Sequence, residues 1–297
     1  MSAGRGPLSV RGPGAPRRLG VLGWPVAHSR SPQMMNAAFA ALALPGWRYQ
    51  LLPVPPELFA ETVRALPAAG FAGANVTIPH KQAALALADE ASDAAREIGA
   101  ANTLSFRADG TIAAENTDAP GLLAALPLDV AGRSALVLGA GGSARAALWA
   151  LLRAGAHVSV WNRSPRRAER LVAELGGIAV PEPVPADLLV NCTSVGLERP
   201  AEPGDARPAG IPDSASAEAQ LNKLGLRADQ LGGYTHVVDL VYSASETPLL
   251  RAARRAGART VDGAEMLVRQ GAISFELWTG APAPLPVMRE AASRPPR

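Results

Sequence analysis

The sequence predicts an α/β protein built as two domains, and three observations predict it. The chain has 297 residues, a length that divides into two domains with a core each. Short apolar runs alternate with helical patterns through both halves, as layered, mostly parallel sheets require. Near the middle, the run Ser134-Ala135-Leu136-Val137-Leu138 enters a glycine-rich turn and then an Ala/Leu-rich helical stretch, the strand–turn–helix unit of such sheets.

Composition narrows the class. Hydrophobic residues make up 48% and charged residues 19%, a globular profile. Aromatics are only 4%, so the cores must be built from Ala, Leu and Val, which suits buried parallel strands. The net charge of +3 is spread thinly and gives no ground for nucleic-acid binding. One cysteine, Cys192, excludes an intrachain disulfide and a multi-cysteine metal site. His28, His80, His157 and His236 form no ligand-like pair, so no metal is expected. No apolar run approaches the roughly 20 residues of a membrane span. Residues 1–18 are rich in Gly, Pro and Arg without an apolar signal core; they read as a disordered extension, and the cytoplasm is the expected compartment.

In chain order, ordered structure is expected to begin at Arg18, with a short buried strand over 18–23. Ser31-Pro32 opens a helix to about 42, with proline in its first turn. A strand over 47–54, a helix over 56–66, a strand over 73–78 and a helix over 80–88 follow. Two short strands, 102–107 and 111–115, flank a turn at Asp109-Gly110. The second run begins with the strand 135–138, the helix 144–154 and the strand 157–161, and adds strands over 188–192 and 236–240. Residues 198–232, rich in Pro, Gly and Ala, are expected to be an insertion or a mobile flap. Helices over 247–256 and 263–278 close the chain.

The most legible chemistry is Gly139-Ala140-Gly141-Gly142-Ser143-Ala144, a Gly-x-Gly-x-x-Ala turn between strand and helix. Gly139 permits the tight turn, Gly141 lets backbone reach a pyrophosphate, and Ala144 lets the helix pack against the strand. Amide donors at the helix N-terminus then hold the anion. The next strand ends in Trp161-Asn162-Arg163-Ser164-Pro165-Arg166-Arg167. An NAD site would place a carboxylate there. Arginines instead suit the 2′-phosphate of NADP, the bland alternative being a solvated basic turn.

In the first domain, Ser29, Ser31, Asn75, Thr77, Lys81, Asn102 and Asp118 fall at strand or loop ends, where open α/β sheets bind ligands. Hydroxyls and amides suit a polyhydroxylated substrate, and a lysine with a carboxylate can handle a proton. Each also has a plain reading: Ser31, Thr77 and Asp118 as helix caps, Lys81 as a surface lysine.

These stretches together resemble the shikimate dehydrogenase family. The resemblance rests on His28-Ser29-Arg30-Ser31-Pro32, Gly73 to Lys81, Gly99-Ala100-Ala101-Asn102-Thr103 and Asn116-Thr117-Asp118. Gly139 to Ala144, Asn162-Arg163-Ser164, Asn191-Cys192-Thr193-Ser194, Asp239-Leu240-Val241-Tyr242, Asp262-Gly263 and Met266 to Gln270 extend it, in order, from about 19 to 280. It implies an N-terminal, mostly parallel α/β substrate domain over 19–118 plus 263–297. It also implies a Rossmann-type NADP-binding domain over 119–262, with the C-terminal helix returning to the first.

The implied reaction is NADP-linked interconversion of 3-dehydroshikimate and shikimate. By resemblance, Ser29 and Ser31 bind the substrate carboxylate with Tyr242 nearby. Thr77, Lys81, Asn102, Asp118 and Gln270 meet the ring, and Lys81 with Asp118 is the catalytic pair. Gly139, Ala140, Gly141, Gly142, Ser143, Ala144, Asn162, Arg163, Ser164, Arg167, Leu240 and Gly263 bind the cofactor, with Leu240 beside the nicotinamide. Rival readings are a quinate or aminoshikimate dehydrogenase, a non-catalytic NADP-binding sensor and a folate-linked dehydrogenase. Monomer and homodimer are both open. The extension before 19 and the length of 198–232 depart from the family pattern.

Overall fold

Alternation of buried strands with half-buried helices produces two units, each with its own sheet and core. The computed structural model describes residues 17–197, 214–242 and 246–294. Residues up to Gly121 and from Leu267 onward form one unit, and Leu122–Met266 the other.

The first unit contains strands β1 (Arg17–Gly23), β2 (Trp47–Pro53), β3 (Phe71–Val76), β4 (Glu90–Ala91), β5 (Thr103–Phe106) and β6 (Ile112–Glu115). Its helices are α1 (Ser31–Ala41), α2 (Phe59–Ala65), α3 (Lys81–Leu87), α4 (Asp93–Ile98) and the first half of α5 (Asp118–Ala125). The strand order is β2-β1-β3-β5-β6-β4. β1 pairs in parallel with β2 and β3, and β4 with β6. β5 runs antiparallel to both β3 and β6, through a hairpin whose Gly110 has φ +90°. That reversal brings the start of β5 and the end of β6 to the edge where β1 and β3 end: Asn75 opposes Thr103, which opposes Glu115.

β1 begins at Arg17, two residues inside the expected 1–18 extension. Arg17 and Arg18 are paired with Trp47 and Arg48 of β2, and the Arg17 guanidinium lies 5.2 Å over the Trp47 ring. Residues 1–16 lie outside the described residues. All six residues of β3 are buried, and the run is apolar apart from Asn75, whose side chain is hydrogen-bonded inside. The core here joins Leu22, Phe59, Val63, Leu104 and Phe106.

The second unit holds β7 (Ser134–Leu138), β8 (His157–Trp161), β9 (Ile178–Ala179), β10 (Ala186–Asn191), β11 (Tyr234–Asp239) and β12 (Arg259–Val261). All pair in parallel, in the order β12-β11-β10-β7-β8-β9. Read from β9 and counted within the unit, this is 3-2-1-4-5-6, the doubly wound dinucleotide-binding order. Helices α6 (Gly142–Arg153), α7 (Pro165–Leu175), α8 (Ser214–Lys223) and α9 (Pro248–Arg255) belong to it. α10 (Gly263–Thr279) starts in this unit and continues into the first, where α11 (Leu285–Ser293) follows.

The expectation for 198–232 needs correction. Residues 198–213 lie outside the described residues, but the rest is ordered: α8 is followed by a 3-10 turn over Ala228–Gly233. Leu221, Leu224, Leu226 and Leu231 join Leu136, Leu138 and Leu189 in one core. Ala, Gly and Ser between those leucines hid the period.

Candidate functional site

In the first unit the site is assembled by loops at one sheet edge. Thr77 follows β3, Asn102 precedes β5, and Thr117 and Asp118 follow β6. Backbone bonds fix these ends: Thr77 N donates to Leu22 O at 2.8 Å, Val76 N to Asn102 O at 2.8 Å, and Asn102 N to Glu115 O at 3.1 Å. Gly23 is required beside them, because a Cβ there would lie 2.5 Å from Thr77 Cγ2.

Lys81 opens α3 and Asp118 opens α5, and both are buried. Lys81 Nζ donates to Asp118 Oδ2 at 2.5 Å. Asp118 Oδ1 accepts from Asn102 Nδ2 at 2.9 Å, and Asn102 Nδ2 also lies 3.3 Å from Gln270 Oε1. Asn102 Oδ1 accepts from Thr117 N at 2.7 Å, so its amide is oriented with nitrogen toward the carboxylate. A lysine, a carboxylate and two amides thus converge in a water-poor corner. Ser29 and Ser31 sit together at the start of α1, with Ser29 Oγ donating to Ser31 Oγ at 3.2 Å. The Thr77 hydroxyl has no protein partner among the described residues and is half-exposed.

Gln270 is placed by a close helix contact. At Gly121 a Cβ would come within 2.8 Å of both the backbone nitrogen and Cβ of Gln270. Gly121→Ala should therefore push α10 away from α5, costing about 1–3 kcal/mol and raising KM for substrate. A thermal midpoint and KM equal to the parent's would refute this contact.

Asn75, grouped from sequence with the ligand-facing residues, is spent on the scaffold. Its Oδ1 accepts from Tyr49 Oη at 2.7 Å. Its Nδ2 donates to Ser274 Oγ and Thr103 Oγ1, each at 3.0 Å. Ser274 also bonds Thr103 and Thr117. Thr103, Thr117 and Ser274, which brace Asn102 from behind, were missed in the sequence reading. Ser274 had a signal: it lies four residues after Gln270, on the same helix face.

In the second unit, β7 runs into the glycine turn as expected. Gly139 has φ +113°, and a Cβ there would meet Cys192 and Thr193 at 3.3 Å. Gly141 faces open space within 4 Å, and it caps α6 without any side-chain hydrogen bond. A diphosphate fits there, against the first-turn amides of a 12-residue helix. Gly142, Ser143 and Ala144 form that first turn, after Ala140. At the end of β8, Asn162 Nδ2 donates to Ser164 O at 2.9 Å. Arg163, Ser164, Arg166 and Arg167 are exposed, and the three arginines have no ion-pair partner among the described residues. Leu240 follows β11 and packs on the unit's core, with Tyr242 two residues later, half-buried. At Gly263 a Cβ would lie 2.6 Å from Leu240 O, so glycine lets α10 start against that backbone.

Asp239, at the end of β11, is 1% exposed. Burial pushes its carboxyl up to about 6, partly opposed by hydrogen bonds from Thr247, Val241 and Asn191. The folded state therefore holds this proton more tightly than the unfolded chain does. The resulting stabilisation is present below pH 4 and lost as pH rises through 6, roughly 3 kcal/mol in all. Asp239→Asn should flatten the pH dependence of the unfolding midpoint between pH 4 and 7. An unchanged slope would contradict it.

Among the described residues there is no group of three or more His, Cys, Asp or Glu side chains suited to a metal, and no helix is long and apolar enough to cross a membrane. Residues 21–104 match the family described as Shikimate dehydrogenase substrate binding domain, and residues 263–292 that described as Shikimate 5'-dehydrogenase C-terminal domain. A protein of Anaeromyxobacter sp. (strain Fw109-5) named Shikimate dehydrogenase (NADP(+)) is 47% identical over 280 residues, 94% of this chain and 96% of its own length. The chain belongs to the shikimate dehydrogenase family. Among solved structures, the shikimate 5-dehydrogenase of Thermus thermophilus in complex with NADP(H) and shikimate is 40% identical, with TM-score 0.78, over 93% of this chain and 98% of that one. The 5-ketofructose reductase of Gluconobacter sp. strain CHM43 is 30% identical, with TM-score 0.74, over 95% and 99%. This fold therefore serves more than one ketone, and the substrate has to be argued from the site.

Proposed function

We propose that the chain catalyses the reversible NADPH-dependent reduction of 3-dehydroshikimate to shikimate. The observation that carries this reading is the buried Lys81–Asp118 pair, joined through Asn102 to Gln270. In this reading residues 19–118 with 263–297 are the substrate domain and residues 119–262 the NADP-binding domain. Ser29 and Ser31 take the substrate carboxylate, with Tyr242 nearby. Thr77, Asn102, Asp118 and Gln270 take the ring hydroxyls.

NADPH, when bound, supplies the hydride. As charge develops on the carbonyl oxygen, the Lys81 ammonium stabilises it and donates the proton; in the reverse direction Lys81 accepts the hydroxyl proton. Asp118 orients Lys81 through Oδ2, while Asn102 fixes its Oδ1. Gly139 through Ala144 hold the pyrophosphate, Asn162, Arg163, Ser164 and Arg167 the 2′-phosphate, and Leu240 and Gly263 the nicotinamide end. The test is NADPH oxidation with 3-dehydroshikimate, run beside NADH and 3-dehydroquinate. Turnover confined to NADPH with 3-dehydroshikimate supports the reading. Equal turnover of 3-dehydroquinate moves the chain to the quinate branch, and NADPH binding without turnover refutes an enzymatic role.

A further inference from the structure

Two motifs of the second unit, Asn191-Cys192-Thr193-Ser194 and Asp239-Leu240-Val241-Tyr242, contribute only Leu240 and Tyr242 to the proposed chemistry. One side chain joins them. Asp239 Oδ1 accepts from Asn191 Nδ2 at 2.8 Å and from the backbone N of Val241 at 3.1 Å. Its Oδ2 accepts from Thr247 Oγ1 at 2.7 Å. The donors come from three places: the end of β10, the segment after β11, and the cap of α9, where Thr247 Oγ1 accepts from Leu250 N.

Asn191 carries the constraint further. Its Oδ1 accepts from Thr193 N at 3.0 Å and Thr193 Oγ1 at 2.8 Å, and Thr193 Oγ1 in turn accepts from Val195 N at 3.1 Å. Its backbone O accepts from Leu240 N at 3.0 Å. The segments after β10 and β11 are thus tied to one another through Asp239 and Asn191, at the carboxyl ends of parallel strands, where such sheets bind ligands. A leucine or valine would fill this core position with no charge to desolvate. What the carboxylate supplies instead is three directed acceptor bonds.

We infer that Asp239 is a positioning residue for the nicotinamide half of the cofactor, setting through Asn191 and Val241 the two segments that follow β10 and β11. The inference rests on the reading that Leu240 lies beside the nicotinamide. Its signature is selective. Loss of Asp239 disturbs the nicotinamide end and leaves the pyrophosphate turn and the arginines after β8 in place.

The test uses the full chain and two probes: NADPH, and adenosine 2′,5′-bisphosphate, which lacks the nicotinamide. Asp239→Ala is expected to weaken NADPH by about tenfold or more, the scale of one lost polar anchor, and to leave the bisphosphate within about twofold. Asp239→Asn keeps an acceptor for Asn191 and Val241, so it should restore NADPH affinity to within about threefold of the parent. Asn191→Ala breaks the same bridge from the other side and should reproduce the selective loss even if Asp239→Ala fails to fold. Equal weakening of both probes, unchanged NADPH affinity in both alanine variants, or no recovery with Asn overturns the inference. Failure of the underlying reading looks different: Leu240→Ala would leave NADPH affinity and turnover as in the parent.

Discussion

Lys81→Ala is expected to lower kcat by roughly 10²-fold or more, the usual contribution of a positioned general acid, while NADPH affinity holds. Stability should fall as well. Without the ammonium, Asp118 is a buried carboxylate whose remaining side-chain donor is Asn102, and breaking a buried pair from one side costs about 3–5 kcal/mol. The two effects separate in the double variant Lys81→Ala/Asp118→Asn. That variant removes the unpaired charge and should recover much of the thermal midpoint, yet turnover stays low. If turnover in Lys81→Ala is within a few-fold of the parent, the proton donor lies elsewhere.

The second large effect concerns the cofactor. Arg163, after β8, and Arg167, in the first turn of α7, stand exposed with no carboxylate on them among the described residues, the environment a phosphate dianion needs and a ribose hydroxyl does not. Hydrogen bonds to charged groups contribute about 1.5–3 kcal/mol each, and solvent exposure pulls these two toward the lower end. Replacing both with alanine should reduce kcat/KM for NADPH by roughly 10²-fold and leave NADH within about threefold. A parallel loss for both nucleotides would mean that the arginines serve the fold and not the 2′-phosphate.

The second unit was the easier half to read. Gly139 and Gly141 are needed for backbone reasons that sequence spacing expresses directly, and the β7–turn–α6 unit lies where that spacing predicts it. In the first unit, Lys81, Asn102 and Asp118 were legible as polar residues at strand ends, and the structure brings them into contact. The hairpin of β5 with β6 was legible from its turn, but the antiparallel pairing of β5 with β3 was not, because a four-residue strand has the same side-chain period whichever way it pairs. The roles of Asn75 and Ser274 were also hidden. A buried amide that braces a neighbour and one that faces a ligand look alike until their partners are known. α8 escaped notice because alanine and serine diluted the leucines that anchor it.

The burial of Lys81 has a practical corollary in reagent chemistry. The chain has only two lysines, Lys81 and Lys223. Lys223 is exposed at the end of α8, whereas the Lys81 side chain is 10% exposed and held by a carboxylate. An acylating dye therefore reaches Lys223 ahead of Lys81, placing a fluorescent handle on the second unit without touching the ion pair. Slow acylation of Lys81, followed by peptide mass and compared with and without substrate analogues, becomes a direct gauge of how often that corner opens to solvent.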